Sequence, residues 1–137
     1  MSNFFLASLV KAFPDIPFQK LLGIEILLVD KNMAMVRLPF KPELVGGGNT
    51  LHGGALGSLL DLTGALAAWS DHDIKNGMKA ATVSMTINYL TAAHGCSVVA
   101  IANAVKRGKE LIFCEVKISE EKSERIVANG TMIYRIT

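Results

Sequence analysis

Between His52 and about Ser70 the chain carries one long helical stretch, and from Met78 onward the hydrophobic pattern switches to period two. A single apolar helix needs a surface to cover it, and the strands that follow supply one. Val83, Met85, Ile87 and Tyr89 alternate with Thr82, Ser84, Thr86 and Asn88, which makes the first of these strands half polar. Further strands are predicted at about 97–106, 110–118 and 126–136, separated by Ala93-His94-Gly95, by Arg107-Gly108 and by the charged stretch from Glu120 to Glu124. Upstream, 24–29 and 33–38 read as a hairpin turning at Asp30-Lys31-Asn32. An N-terminal helix and a second short one, marked by Pro14 and Pro17, precede Gly23. The expectation is an α+β fold: an antiparallel sheet of about six strands, the last four in a meander, wrapped around one long central helix. At 137 residues the chain fits one domain, 1–137, with 1–22 as an N-terminal helical segment.

Composition bounds the function. Half of the residues are hydrophobic and 19% are charged, which predicts surface buried between subunits of a homo-oligomer. A net charge of +2 is too mild for a nucleic-acid partner, and no basic cluster exceeds Lys106-Arg107 with Lys109. No membrane span is expected, because Asp61 interrupts the only long apolar run and a bilayer needs about 20 residues. Residues 1–13 lack a basic leader region and a small-residue cleavage site, so a cytoplasmic protein is expected. Cys96 and Cys114 form no CxxC pair and read as buried free thiols.

The chemistry concentrates in the helix. Leu56, Leu59, Leu60, Thr63, Leu66 and Ala67 make a core face. The other stripe, Gly54, Gly57, Ser58, Asp61, Gly64, Ala65 and Ala68, is small apart from one carboxylate. Glycine inside a helix costs about 1 kcal/mol against alanine, so Gly57 and Gly64 predict the close approach of a partner helix or a substrate channel. Asp61 on so apolar a helix is either satisfied by neighbouring Thr or Ser hydroxyls or held for chemistry. Gly53 and Gly54 stand where the first helical N–H groups lack internal partners, a geometry suited to the oxyanion of acyl transfer. At about 1.5 Å per residue, Gly53 and Asp61 lie roughly 12 Å apart, too far to bracket one carbonyl. A second copy must supply one of them, through antiparallel helices meeting along their small-residue stripes in a two-fold dimer.

His52-Gly53-Gly54, the helical Asp61 and the strand from Thr82 to Leu90 resemble the hotdog-fold acyl-CoA thioesterases, most closely the phenylacetate-degradation type, over about 22–136. The resemblance implies Asp61 as general base or nucleophile, the Gly53 N–H as donor to the thioester oxygen, and Thr82 as an assisting strand hydroxyl. It implies an acyl-CoA substrate, no cofactor or metal, and a homodimer that pairs into a tetramer. Gly54 is expected to touch substrate, and His52 to orient the site through a backbone carbonyl rather than transfer a proton. Similar enzymes carry Asn where this chain has Gly46, and Asn49 is expected to compensate through the glycine loop. Lys106-Arg107-Gly108 reads first as a solvated hairpin turn with glycine at its special position; the resemblance adds CoA phosphates near it.

Two other functions fit the fold: an acyl-thioester dehydratase or hydratase, whose His-Phe-Pro context is absent, and a non-catalytic acyl-CoA-binding module. Asp71-His72-Asp73 reads as a solvated helix end rather than a metal site. Gly46-Gly47-Gly48 lacks the Lys-Ser/Thr of a phosphate loop. Ser58 lacks the Gly-x-Ser-x-Gly context of a nucleophile elbow.

Overall fold

The computed structural model describes residues 3–137; the first two residues of the expected N-terminal segment lie outside the described residues. The chain opens with α1 (Asn3–Ala12) and α2 (Pro17–Leu22), separated by a 3-10 turn over Phe13–Asp15. Pro17 starts α2 where its missing N–H is not needed, and Gly23 ends it at the left-handed φ of 80°. The hairpin of β1 (Glu25–Asp30) and β2 (Met33–Leu38) follows, turning through Asn32 at φ 60°. Then come α3 (Gly53–Trp69), β3 (Ala80–Tyr89), β4 (Val98–Arg107), β5 (Leu111–Glu120) and β6 (Ile126–Ile136).

The six strands form one antiparallel sheet in the order β1-β2-β4-β5-β6-β3. This corrects the expected meander: β3 lies beside β6 at the far edge, and β4 pairs with β2. Ala34, Val36 and Leu38 of β2 face Ala102, Ala100 and Val98 of β4, and all six are fully buried. Small and branched side chains on both strands leave a seam into which α3 settles, a place the half-polar β3 could not fill. Leu59, Leu60 and Leu66 of α3 are fully buried against the sheet, each contributing about 1.5–3 kcal/mol of burial.

The small-residue stripe of α3 divides in two. Gly57, Gly64 and Ala68 are buried within the chain, whereas Ser58, Asp61 and Ala65 keep partial exposure and Gly54 is exposed. A Cβ at Gly64 would stand 2.6 Å from Met132 Cγ, so β6, and not a partner helix, demands this glycine. Beyond Trp69 the last carbonyls are satisfied locally: the Ser70 hydroxyl donates to Ala67 O at 2.6 Å and accepts from the Asn32 N–H at 2.9 Å.

Two β-bulges set which side chains reach α3. Thr82 pairs with Tyr134 and Ser84 with Ile133, so Val83 is the extra residue in β3. Ala104 pairs with Cys114 and Lys106 with Phe113, so Val105 is the extra residue in β4. Past each bulge the in-out alternation inverts. No helix among the described residues is long and apolar enough to cross a membrane.

Candidate active site

Strict alternation would put Thr82 on the outer face with Ser84, Thr86 and Asn88, because Met85 and Tyr89 reach Gly57 and Gly53 of α3. The bulge at Val83 reverses that, and the Thr82 hydroxyl donates to Asp61 Oδ1 at 2.6 Å. Among the described residues it is the one donor to this carboxylate, leaving Oδ2 able to accept a proton or face a substrate. Asp61 and Thr82 open onto a cavity of about 450 Å³. Its other walls are mostly apolar, with Leu9 and Phe13 from the N-terminal segment and Leu62, Ala65 and Trp69 from α3, but Gln19, Ser58 and Tyr134 also line it. A carboxylate at the edge of an apolar hollow is the arrangement expected of a ligand site.

Sequence reasoning left out an aromatic part of this cavity's wall, Trp69 and Tyr134. The Trp69 indole N–H donates to the Tyr134 hydroxyl at 3.2 Å, and Phe5 lies against the indole with ring centroids 5.8 Å apart. Burial, aided by the charge of Asp61, raises the Tyr134 phenol above its ordinary range despite the bond from Trp69, so it stays a neutral donor. Helical spacing held the signal: Asp61, Ala65 and Trp69 share one face of α3, and Phe5, Leu9 and Phe13 follow at intervals of four. The N-terminal segment is thus a wall of the site rather than an appendage.

At the start of α3, His52 Nδ1 accepts the Gly54 N–H at 2.8 Å. His52 therefore orients the turn by accepting an amide hydrogen bond, not by bonding a carbonyl as expected, and the Gly54 amide is already partnered. The Gly53 N–H has no acceptor among the described residues, and its carbonyl accepts the Tyr89 hydroxyl at 2.8 Å. Ser58 turns its hydroxyl back onto Gly54 O at 2.7 Å. Asn49, at φ 58°, lies against Gly95, whose N–H donates to Asn49 O at 2.9 Å. Gly46 packs on His52: a Cβ there would be 3.4 Å from the imidazole Cδ2.

Lys106 and Arg107 part company at the second bulge. Lys106 is exposed. The Arg107 guanidinium turns inward to Asn32 Oδ1 at 2.8 Å and Ala68 O at 2.9 Å, tying the β1–β2 turn to the end of α3. Burial lowers its affinity for a proton, an effect Asp71 opposes. Gly108 is not at a left-handed position; it is close to Leu111, whose carbonyl would lie 3.1 Å from a Cβ.

The three residues of Asp71-His72-Asp73 diverge. Asp71 faces Asn32, His72 is buried with Nε2 2.7 Å from Gly77 O, and Asp73 caps a short turn through the Lys75 N–H. Both cysteines are unpaired, Cys114 buried and Cys96 half-buried. Burial first, and for Cys96 also the bond to Glu120, pushes each thiol up to about 11. Neither is a thiolate nucleophile near neutral pH.

The sequence model of the thioesterase superfamily matches residues 48–127, the span holding the Gly53 amide, Asp61 and Thr82. The chain belongs to this superfamily. It resembles the acyl-coenzyme A thioesterase PaaI of Escherichia coli at 28% identity, covering 85% of this chain and 81% of that one. The medium/long-chain acyl-CoA thioesterase YigI of the same organism is 23% identical, over 88% and 85% of the two chains. The structure of the E. coli PaaI protein from the phenylacetic acid degradation operon superposes with a TM-score of 0.84 at 25% identity, over 96% of this chain and 93% of that one. The thioesterase is therefore a hotdog-fold enzyme of the phenylacetate-degradation type that hydrolyses thioesters.

Proposed function

We propose that this thioesterase hydrolyses acyl-CoA, with Asp61 as the residue that drives attack and the Gly53 N–H of a second copy as donor to the thioester oxygen. The observation that carries the reading is the Thr82–Asp61 bond at the mouth of an apolar cavity. Thr82 fixes one carboxylate oxygen and leaves the other toward the acyl carbon. Asp61 acts as base on a water, or as the nucleophile whose acyl adduct water then cleaves. In either route the C–S bond breaks, the sulfur leaves as the CoA thiol, and water supplies the oxygen and hydrogens of the products. The donor to the oxyanion that develops on attack is the Gly53 N–H, at the positive end of α3.

Asp61 and Gly53 of one chain remain two helical turns apart, about 12 Å along the axis, so the reading requires a dimer. β3 is suited to form it. It ends the sheet, pairs with β6 on one side only, and exposes Val83 at 54% and Tyr89 at 53%, with the exposed Leu90 just past its end. An unpaired edge bearing apolar side chains favours the addition of an equivalent strand. Pairing there would set the start of one α3 beside Thr82 of the other; two such dimers would then associate. Lys106 contacts CoA phosphates, Arg107 and Gly108 hold its turn, and Asn49, Gly54 and His52 shape the entrance. The reaction takes place in the cytoplasm, where both cysteines stay reduced.

Release of free thiol from a panel of acyl-CoAs tests this reading. Asp61→Asn, near in shape but unable to take a proton, should reduce turnover by at least about a hundredfold. Hydrolysis that survives this change intact would refute the mechanism.

A further inference from the structure

Two peptide units meet at Gly53, and among the described residues the Gly53 N–H is their one uncommitted polar group. In the first unit His52 O accepts the Ala55 and Leu56 N–H groups at 2.9 and 3.2 Å. The second is held at both ends. Its carbonyl, Gly53 O, takes the Tyr89 hydroxyl at 2.8 Å, and its amide, Gly54 N–H, goes to His52 Nδ1 at 2.8 Å. Two consecutive glycines are the residues least able to hold a direction unaided. Among the described residues Tyr89 is the one side chain from outside α3 and its cap that bonds this turn. Its ring also occupies the space beside Gly53, 3.4 Å from where a Cβ would stand.

Tyr89 reaches α3 for the same reason that Thr82 does. The two stand seven positions apart on β3, an odd spacing that strict alternation sends to opposite faces. The unpaired Val83 removes that conflict. Both hydroxyls therefore end on α3, Thr82 at Asp61 and Tyr89 at Gly53. We infer that Tyr89 is a positioning residue for the reaction: its hydroxyl fixes the Gly53 peptide and with it the direction of the N–H that meets the thioester oxygen. The inference rests on the Gly53 reading proposed above. A donor stabilises an oxyanion best when it is aimed before the charge develops, and a turn free to reorient loses that advantage. One strand then aligns both working groups of the chain. In a two-fold pairing of β3, the Tyr89 end of one copy lies beside the Thr82 end of the other, so each site receives its carboxylate from one β3 and its amide from the other.

The test uses the full chain and two probes that resist hydrolysis. One is a CoA ketone, octanoyl-CoA with a methylene in place of the thioester sulfur; the other is S-octyl-CoA, the thioether without the carbonyl oxygen. The ratio of their dissociation constants isolates the bond to that oxygen. Tyr89→Phe keeps the ring and removes only the hydroxyl. It should lower the preference for the ketone about three- to tenfold, the scale of one neutral hydrogen bond, and leave S-octyl-CoA binding unchanged. In turnover of octanoyl-CoA, kcat should fall by a similar factor while KM stays within about twofold. A hydroxyl that only supports the fold would alter the binding of both probes alike, and that result overturns the inference. Gly53→Pro separates the two claims. If it abolishes the ketone preference while Tyr89→Phe retains the wild-type value, Tyr89 does not position the donor and the Gly53 reading stands. If the ketone preference survives Gly53→Pro, the donor itself is misassigned and the role of Tyr89 falls with it.

Discussion

At the scale of single residues, the site depends on one hydroxyl that a bulge delivers to one carboxylate. Thr82→Val keeps the shape of the side chain and removes the donor to Asp61 Oδ1. A hydrogen bond to a charged group contributes about 1.5–3 kcal/mol, so kcat should fall roughly ten- to a hundredfold. Thr82→Ser should recover most of that loss; steady-state kinetics on both variants checks it, and a full-rate Thr82→Val enzyme would remove Thr82 from the site. Lys106 and Arg107, adjacent in sequence, should behave oppositely. Arg107→Ala strips Asn32 Oδ1 and the Ala68 carbonyl of their donor, costing about 2 kcal/mol in urea unfolding. Lys106→Ala should raise KM for acyl-CoA and leave the unfolding midpoint alone. Their difference was invisible in the sequence, where both read as solvated turn residues. Alternation along β4 puts position 106 inward, and only the unpaired Val105 exchanges the two.

At the scale of elements, most of the architecture was legible, because it follows from period. The long helix, the β1–β2 hairpin and the strands after Met78 fall where apolar spacing and turn residues put them. The order of strands was not legible: hairpin spacing suggests neighbours but does not reveal that β2 and β4 share a seam of small buried side chains. The helix glycines show the same division. Close approach holds at Gly64, where β6 and not a partner helix approaches, and not at Gly57, where a Cβ would find only ordinary contacts. A Cβ at Gly64 would stand 2.6 Å from Met132 Cγ, whereas one at Gly57 would meet nothing nearer than the Tyr89 hydroxyl at 3.5 Å. The two should therefore respond with opposite signs. Gly57→Ala should stabilise α3 by about 1 kcal/mol through helix propensity. Gly64→Ala gains the same propensity but overpacks a buried methionine, costing about 1–3 kcal/mol, for a net loss. In a Met132→Ala background the loss should vanish, and a double-mutant cycle in urea reads that coupling directly.

At the scale of the whole molecule, the separation of Gly53 from Asp61 forces the question of who completes the site, and it admits a decisive experiment. Each chain offers one amide and one carboxylate about two helical turns apart. Two defective chains should therefore repair each other if the site spans the dimer. Asp61→Asn removes the carboxylate. Gly53→Pro removes the amide proton with little harm to the fold, because proline is favoured at the first position of a helix. The preceding residue also suits it: His52 sits at φ −61° and ψ 137°, the extended region that a following proline requires. A Cβ at position 53 meets the Tyr89 ring at 3.4 Å, an ordinary contact. Each variant alone should be inactive and should melt near wild type. Mixed, unfolded and refolded together in equal amounts, half of the dimers become hybrids, and each hybrid holds one intact site out of two, so about a quarter of wild-type activity should return. A site contained in one chain gives no recovery at any mixing ratio, because no chain in the mixture carries both groups.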